Sequence, residues 1–360
     1  MTTRQDLPAT PFLALDLDAF ERNVRHLADA IVVRGGKCWR PHTKALRSPV
    51  VAQCLIAAGA RGVTCATVWE AETMVRAGIV DVLIASQVVA PSGLRKLAAL
   101  NRTARVIAAV DAPIHLELLN VHASEAGVTI PVVIEVDIGL MRAGVAPGPA
   151  AAVLARTVAA HQHLKFCGLM AWEGQTTGIA DPAAKEAAIR ASVALLTDAA
   201  RSCAQAGFAV EIVSCGGTGT YLVTSRISGV TEVQAGGGVF GDLRYRQEFG
   251  MPLEPALTLV ATVLSRPTVR RIVCDAGWKY HGVHPMQSQA LRVPAAVKLA
   301  FSAEHLTLDC DADMPGFAVG DRIEFAVGYA DSTVFMHREI IAMRNGAIED
   351  VFPLPAPHPI

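Results

Sequence analysis

The segment Arg40-Pro41-His42-Thr43-Lys44 carries the residue with the most distinctive chemistry in this sequence. It follows an apolar stretch and precedes an amphipathic one, so we expect Lys44 at the end of a buried strand. A lysine in a partly desolvated pocket can lose its proton near neutral pH and attack an aldehyde cofactor to form a Schiff base. Since most lysines are solvated surface charges, Lys44 indicates catalysis only in combination with other segments.

Two glycine-rich segments supply that combination. Residues 214–220 (SCGGTGT) and 235–238 (AGGG) each follow an apolar, strand-like run. Their small residues let backbone N–H groups surround an anion, and the hydroxyls of Thr218 and Thr220 add donors. Each segment alone is also typical of a tight turn. Taken with Lys44, the pair indicates a phosphorylated aldehyde, pyridoxal 5′-phosphate.

Alternating strand-like and helix-like patterns must position these segments. Apolar strands separated by 3.6-period helices imply parallel pairing through right-handed crossovers, and about eight such units close a barrel. The sequence therefore predicts an α/β protein whose residues 12–248 form a (β/α)8 TIM-type barrel. The predicted strands are residues 12–17, 37–40, 62–66, 82–85, 105–110, 131–137, 164–170, 210–214 and 230–234.

The strand ends of such a barrel build its active site. Lys44, Arg142, Trp172 and Thr218 each lie just past the carboxyl end of a predicted strand. In a parallel barrel these ends share one face, so we expect the four segments to converge on one mouth.

The pattern changes after about Phe249 to strand-like runs interrupted by proline and glycine. This predicts a smaller C-terminal β domain made of residues 249–360, joined by residues 1–11. The runs are residues 256–264, 270–275, 291–299, 322–326 and 333–344.

Composition excludes several classes of function. The chain has 360 residues, 52% of them hydrophobic, and a formal net charge of -1. With no basic stripe to neutralise phosphates, nucleic acid is not the expected partner. No apolar stretch predicts a membrane span or a secretion signal, so we expect a cytoplasmic protein that acts on a small molecule. The 8 cysteines form no CxxC pair and are interpreted as reduced core residues.

Seven motifs, in order along nearly the whole chain, resemble the D-threonine aldolase and D-serine dehydratase family. That family has the alanine-racemase-like fold, known as fold type III among pyridoxal phosphate enzymes. The motifs are residues 10–23 (TPFLALDLDAFERN), 40–44 (RPHTK), 136–144 (VDIGLMRAG), 168–174 (GLMAWEG), 214–220 (SCGGTGT), 274–277 (CDAG) and 320–322 (GDR).

The resemblance implies roles for individual residues. Lys44 binds the cofactor covalently and acts as a base, with His42 beside it. Arg142 lies near the cofactor ring, and Trp172 takes the place of the family's usual tyrosine. The resemblance also implies a homodimer in which the β domain of one subunit approaches the barrel mouth of the other. The implied phosphate-binding residues are Gly217, Thr218, Gly219, Thr220, Gly236, Gly237 and Gly238.

Two positions depart from the family pattern. Gly238 stands where a tyrosine is usual, so one phosphate or substrate contact is lost. Metal-dependent members carry a His, one residue and an Asp or Cys where this chain has Tyr329-Ala-Asp331. Asp331 is the expected ligand of a divalent ion (Mn²⁺, Mg²⁺ or Zn²⁺), but tyrosine is a poor substitute for imidazole. The pair His281-x-x-His284 is the candidate source of a further ligand.

Three reactions and one binding function fit this pattern. The first hypothesis is a pyridoxal phosphate lyase that cleaves D-3-hydroxy-amino acids by a retro-aldol reaction to glycine and an aldehyde. The alternatives are a D-serine-type dehydratase that releases ammonia, and a racemase or epimerase that uses Lys44 and Tyr329 on opposite faces. A cofactor-carrier protein without turnover is the remaining class, although carriers of this kind lack a C-terminal β domain.

Overall fold

The computed structural model describes residues 8–293 and 297–355. Residues 1–7, 294–296 and 356–360, which the sequence assigns to the β domain, lie outside the described residues. Two compact units account for the chain. The barrel unit holds Arg25–Lys44 and Val51–Gly236. The sheet unit holds the described parts of Met1–Val24, Ala45–Val50 and Gly237–Ala356.

Strands and helices alternate in the first two thirds of the chain, and strands dominate the last third. The strands are β1 Phe12–Asp16, β2 Cys38–Trp39, β3 Val63–Cys65, β4 Asp81–Ile84, β5 Arg105–Val110, β6 Ile130–Glu135, β7 Leu164–Met170, β8 Ile212–Cys215, β9 Glu232–Val233, β10 Leu257–Thr268, β11 Arg271–Cys274, β12 Gln289–Ala290, β13 Val297–Phe301, β14 Leu306–Cys310, β15 Arg322–Ala326, β16 Glu339–Arg344 and β17 Ala347–Pro353. The α-helices are α1 Leu17–Ala28, α2 Pro49–Ala57, α3 Val68–Arg76, α4 Pro91–Leu100, α5 Pro113–Ala126, α6 Pro149–Ala159, α7 Pro182–Gln205, α8 Tyr221–Thr224 and α9 Ala330–Thr333.

The first sheet is the predicted parallel barrel. Its strand order is β2-β9-β8-β7-β6-β5-β4-β3, and every pair is parallel. A parallel bridge between His42 and Thr64 joins the two end strands. Next to that bridge, the Arg61 N–H donates to the Trp39 carbonyl over 2.8 Å. The TIM-type barrel is therefore confirmed, with β2 to β9 as its eight strands.

Local sequence explains where the barrel helices begin. α4, α5, α6 and α7 each have proline in the first turn, where the missing N–H costs no hydrogen bond. α3 begins instead at a reciprocal cap. The Thr67 hydroxyl accepts from the Glu70 N–H, and the Glu70 carboxylate accepts from the Ala66 N–H. Local sequence therefore fixes the first residue of each of these helices.

The predicted first barrel strand, residues 12–17, belongs to the other sheet. A strand does form there, as β1, but it pairs antiparallel with β10 and parallel with β16. Four of its five residues are buried, which suits the interior of either sheet. The apolar run therefore predicted the strand correctly and its partners wrongly, because the partners lie more than 200 residues further along the chain.

The second sheet has the order β13-β14-β11-β10-β1-β16-β17, with β15 pairing to β10 and β12. All its pairs are antiparallel except β1 with β16. The run predicted at residues 333–344 is a strand only from Glu339. Before it, the Ser332 and Thr333 hydroxyls both donate to the Tyr329 carbonyl, which stabilises a helical turn.

The cysteines and the helices each bear on a general property of the chain. The 8 cysteines are all free thiols. No helix among the described residues has the length and apolar character needed to cross a membrane.

The imidazole of His281 is buried in the sheet unit among aromatic rings. Its ring lies edge-on to Phe301 and Phe325, with centroids 5.3 and 5.2 Å away. Neither ring nitrogen has a hydrogen-bond partner within the described residues. Burial, followed by the nearby His337, lowers the pKa of His281 from 6.5 to about 3. The neutral imidazole therefore occupies an apolar site at a cost in stability.

Replacing His281 with leucine is expected to stabilise the protein, and more at pH 5 than at pH 7. Because the folded pKa lies below the unfolded one, the unfolded chain binds an extra proton as pH falls from about 7 toward 3. This proton uptake destabilises the native state by about 2 kcal/mol between pH 7 and pH 5. Urea unfolding at both pH values measures the effect, with the exposed His305→Leu as control. If His281→Leu loses as much stability between pH 7 and pH 5 as the wild type does, the lowered pKa of His281 is not the cause of the acid sensitivity.

Candidate active site

The barrel places five predicted site segments at one end. Lys44 follows β2, Arg142 follows β6, Trp172 follows β7, Thr218 follows β8 and Gly236 follows β9. All five strands are parallel, so their carboxyl ends lie on the same face of the barrel. Side chains and amides from separate parts of the sequence thus surround one mouth.

The backbone that carries Lys44 is held by strand-type hydrogen bonds. The Thr43 N–H donates to the Thr64 carbonyl over 2.7 Å, and the Thr64 N–H donates to the Pro41 carbonyl over 2.9 Å. Thr43 is buried, whereas the Lys44 side chain is exposed. The sequence predicted a partly desolvated lysine. In the single chain Lys44 is instead exposed.

Lys44 and Arg142 place two positive charges near His42. The pKa of the His42 imidazole lies well below its ordinary value because the half-buried ring is desolvated and because the Lys44 and Arg142 cations are near. His42 is therefore neutral at neutral pH. The Arg142 guanidinium lies 3.6 Å from the buried Glu135 carboxylate, which also accepts a 2.7 Å hydrogen bond from Gln87. Lys44 and Arg142 together favour an anionic ligand at this end of the barrel.

The turn before Arg142 is organised by one carboxylate. Asp137 accepts hydrogen bonds from the N–H groups of Gly139 and Met141, both over 3.0 Å. Met141 adopts a left-handed conformation with φ of 55°, which is unusual for a residue with a side chain. This turn fixes the backbone from which Arg142 projects.

Trp172 packs against the first glycine-rich loop. A Cβ added to Gly217 would lie 2.5 Å from a ring carbon of Trp172, and one added to Gly174 would lie 2.4 Å from the indole nitrogen. Only glycine leaves room for the ring at both places. The Gly217 N–H donates to the Thr220 hydroxyl over 3.0 Å, which keeps the loop compact.

The second glycine-rich loop lies against the lysine-bearing strand. A Cβ added to Gly236 would lie 2.3 Å from the His42 carbonyl oxygen and 2.7 Å from the His42 nitrogen. The His42 N–H itself donates to the Gln234 carbonyl over 2.9 Å. This close backbone approach brings the loop to within two residues of Lys44.

Sequence reasoning missed Glu173, which anchors the first loop. Its side chain is fully buried, and its carboxylate accepts from the Gly216 N–H over 3.2 Å and from the Thr224 hydroxyl over 2.7 Å. A charged residue three positions after the end of a buried strand was the available signal, since buried charges need partners.

Glu173→Ala is expected to destabilise the protein by about 3 kcal/mol, because two buried donors lose their acceptor. Glu173→Gln keeps one acceptor oxygen and is expected to lose less. Thermal unfolding and titration with pyridoxal phosphate measure both variants, and the alanine variant should bind the cofactor more weakly. Equal behaviour of the two variants would show that the carboxylate does not hold the loop.

A second buried network braces the strand of Lys44. Arg40 is fully buried; its Nε donates to Glu232 and its Nη1 to Asp81, each over 2.8 Å. Glu232 also accepts from the Ser214 hydroxyl over 2.8 Å. The network links β2 to β4, β8 and β9, and the sequence had flagged Arg40 only as part of the lysine motif.

These residues fit pyridoxal phosphate. An accessible lysine can bind its aldehyde, and a neutral imidazole and a guanidinium lie beside that lysine. Gly217 and Gly236 pack so closely against Trp172 and His42 that a Cβ at either position would clash, and their loops carry backbone N–H groups and the Thr218 and Thr220 hydroxyls, which are donors of the kind that bind a phosphate. The donor set matches what the cofactor requires.

The remaining predicted residues belong to the sheet unit. Gly237 and Gly238 are buried in the 3-10 turn Gly237–Phe240. A Cβ added to Gly237 would lie 3.0 Å from the Tyr245 hydroxyl. The Tyr245 ring lies 5.9 Å from the Tyr329 ring, centroid to centroid. Tyr245, which the sequence did not single out, thus links the glycine turn to Tyr329.

Hydrogen bonds fix the conformation of Tyr329. Its hydroxyl is hydrogen-bonded to Asp331 and to Tyr245, and burial followed by Asp331 raises its pKa. The Asp242 carboxylate accepts from the N–H groups of Tyr245 and Ala330, over 3.0 and 2.8 Å. Burial raises the pKa of Asp242 to about 7.

The donors around Asp331 do not fit a divalent metal. Among the described residues, no three His, Cys, Asp or Glu side chains are grouped so that they could hold an ion. His281 is enclosed by Phe301 and Phe325, and His284 is exposed. Tyr329 remains a protonated phenol at neutral pH, which is a poor ligand.

Known proteins share this architecture and sequence. Residues 15–244 match the family model of the alanine racemase N-terminal domain, and residues 256–343 match the putative serine dehydratase domain. A D-threonine aldolase of Arthrobacter sp is 31% identical, covering 96% of this chain and 92% of the relative. The chain belongs to the D-threonine aldolase and D-serine dehydratase family. A 3-hydroxy-D-aspartate aldolase of Paracoccus denitrificans is 32% identical over the same shares of the two chains.

Solved structures of this family agree. The crystal structure of D-threonine aldolase from Filomicrobium marinum has a TM-score of 0.92, with 32% identity over 96% of this chain and 95% of that one. D-threo-3-hydroxyaspartate dehydratase from Delftia sp. HT23 gives a TM-score of 0.88, with 28% identity over 97% of this chain and 98% of that one. The family predicted from the motifs is confirmed.

Proposed function

We propose that this family member is a pyridoxal phosphate lyase that cleaves D-3-hydroxy-amino acids to glycine and an aldehyde. The observation that carries the proposal is the placement of Lys44, His42 and Arg142 at one end of the barrel, beside two glycine loops. The aldolase names of relatives that match 96% of the chain support the reaction type.

Different residues of the chain have different roles in the proposed reaction. Pyridoxal phosphate, when bound, withdraws electrons from the substrate Cα, so that a bond at this atom can break. Lys44 would hold the cofactor covalently, and its amine, once replaced there by the substrate, would transfer the proton at Cα. Thr218, Thr220 and the glycine amides bind the phosphate. Arg142 supplies a fixed positive charge, and Trp172 offers an aromatic face that orients a planar ring.

Retro-aldol cleavage is the first candidate because relatives that match 96% of this chain are named aldolases. Breaking the Cα–Cβ bond requires a base that takes the proton from the β-hydroxyl, whereas dehydration requires an acid, often a metal, that helps hydroxide leave. Dehydration is the second candidate, because the Delftia dehydratase is 33% identical over 75% of this chain.

Incubation of the holoenzyme with D-threonine, D-phenylserine and D-serine separates the reactions. Glycine and an aldehyde from the first two substrates are the expected products. Ammonia and a keto acid would indicate the dehydratase, and loss of optical activity without cleavage would indicate a racemase using Lys44 and Tyr329. Cofactor binding without turnover of any substrate would overturn the enzymatic proposal.

We also propose a cytoplasmic homodimer. In support, Lys44 is exposed in the single chain, whereas a lysine that reacts near neutral pH needs a partly desolvated environment. A second subunit would provide the missing cover. Sedimentation equilibrium of the holoenzyme measures the oligomeric state.

A further inference from the structure

Four side chains of the sheet unit form what we term the tyrosine cluster: Tyr245, Tyr329, Asp331 and Arg244. The Tyr329 hydroxyl is hydrogen-bonded to the Asp331 carboxylate and to the Tyr245 hydroxyl. The Tyr329 hydroxyl, which would have to face an ion, is thus already engaged within the cluster.

Arg244 adds a positive charge to the same place. Its guanidinium lies 4.8 Å from the Tyr329 ring centroid and 4.9 Å from that of Phe249. Its backbone N–H donates to the Gly328 carbonyl over 3.0 Å, and its Nε bonds Glu248 over 3.0 Å. A divalent ion bound by Tyr329 and Asp331 would meet this resident cation and be repelled.

The cluster is also fixed in place. The buried Asp242 carboxylate ties the backbone of Tyr245 to that of Ala330, next to Tyr329. The edge-to-face packing of Tyr245 on Tyr329 and on Phe249 fills the space between the two segments. Rearranging Tyr329 and Asp331 around an ion would therefore break both sets of contacts.

We propose that the tyrosine cluster replaces a divalent-metal site, so that this protein binds no divalent ion at Tyr329 and Asp331. Arg244 and the hydrogen-bonded pair Tyr329–Asp331 supply the positive charge and the polar contacts at this place. The consequence that catalysis needs no divalent ion at this place rests on the proposed function. The proposal that no divalent ion binds at Tyr329 and Asp331 does not.

Metal binding tests the proposal without reference to activity. The holoenzyme is treated with chelator, exchanged into Mn²⁺, Zn²⁺ or Mg²⁺, desalted, and its metal content measured by plasma mass spectrometry. We expect no stoichiometric metal in the wild-type chain. One equivalent of metal that disappears in Asp331→Asn would overturn the proposal.

A variant designed to gain metal binding provides a second test. Tyr329→His combined with Arg244→Gln restores an imidazole next to Asp331 and removes the competing cation. We expect its Mn²⁺ affinity, measured by calorimetry, to exceed that of the wild type by at least about tenfold. Tyr329→Phe with Arg244→Gln is the matched control, which keeps a ring but offers no imidazole. Equal Mn²⁺ affinity of both double variants would contradict the account.

Activity then provides an independent readout. The wild-type reaction rate is expected to be the same before and after chelator treatment. Loss of activity with chelator and recovery with Mn²⁺ would overturn the proposal. An inactive but metal-free enzyme would contradict only the proposed reaction and leave the tyrosine cluster as described.

Discussion

Lys44→Ala is expected to abolish lyase activity and the visible absorbance of the lysine-bound cofactor. The loss of rate should be on the order of 10³-fold or more, because covalent attachment and proton transfer depend on the same amine. The Lys44 side chain is exposed, so truncation should leave the fold intact. Absorbance spectra, turnover and thermal unfolding of the purified variant measure all three effects.

Lys165→Ala is the matched control for this variant. Lys165 is an exposed lysine near the amino end of β7, at the opposite end of the barrel. Its removal should change neither the spectrum nor the rate. If Lys44→Ala keeps the absorbance band, or if Lys165→Ala loses it, Lys44 is not the attachment site.

Gly236→Ala is expected to produce the second largest effect. The added Cβ would lie 2.3 Å from the His42 carbonyl oxygen and 2.7 Å from the His42 nitrogen, and backbone atoms cannot rotate away. Overpacking of this kind costs about 1–3 kcal/mol. The forced shift displaces the strand that carries Lys44, and a misplacement of about 1 Å can reduce the rate on the order of 10²-fold.

Cofactor titration, turnover and thermal unfolding measure the effect of Gly236→Ala. Gly178→Ala is the control, because a Cβ added there meets no atom within 4 Å. We expect the control to behave as the wild type. Full activity of Gly236→Ala would show that the second glycine loop does not position the lysine strand.

The barrel could be predicted because its strands are buried on both faces. Strands such as β5 and β6 read as continuous apolar runs between helices, which is the pattern of a parallel sheet. β1 has the same pattern, yet it pairs with β10 and β16. Local apolar character specifies burial and leaves the choice of partner strand to distant parts of the chain.

The candidate site was predictable where chemistry follows from residue type. Lys44, Arg142 and the glycine loops were found this way, and parallel strands gather their barrel-unit members at one end. Glu173, Tyr245 and Asp242 were not found. Each acts through a partner distant in sequence, such as Gly216 for Glu173 and Ala330 for Asp242. Single charged or phenolic residues signal that a partner exists, but only the fold identifies it.

Borohydride reduction of the holoenzyme, followed by peptide mass spectrometry, identifies the lysine that binds pyridoxal phosphate. Reduction converts a lysine-bound pyridoxal phosphate into a stable adduct on the residue that held it. We expect the added mass on the peptide that contains Lys44. An adduct on another lysine, or none in protein that contains the cofactor, would contradict this expectation.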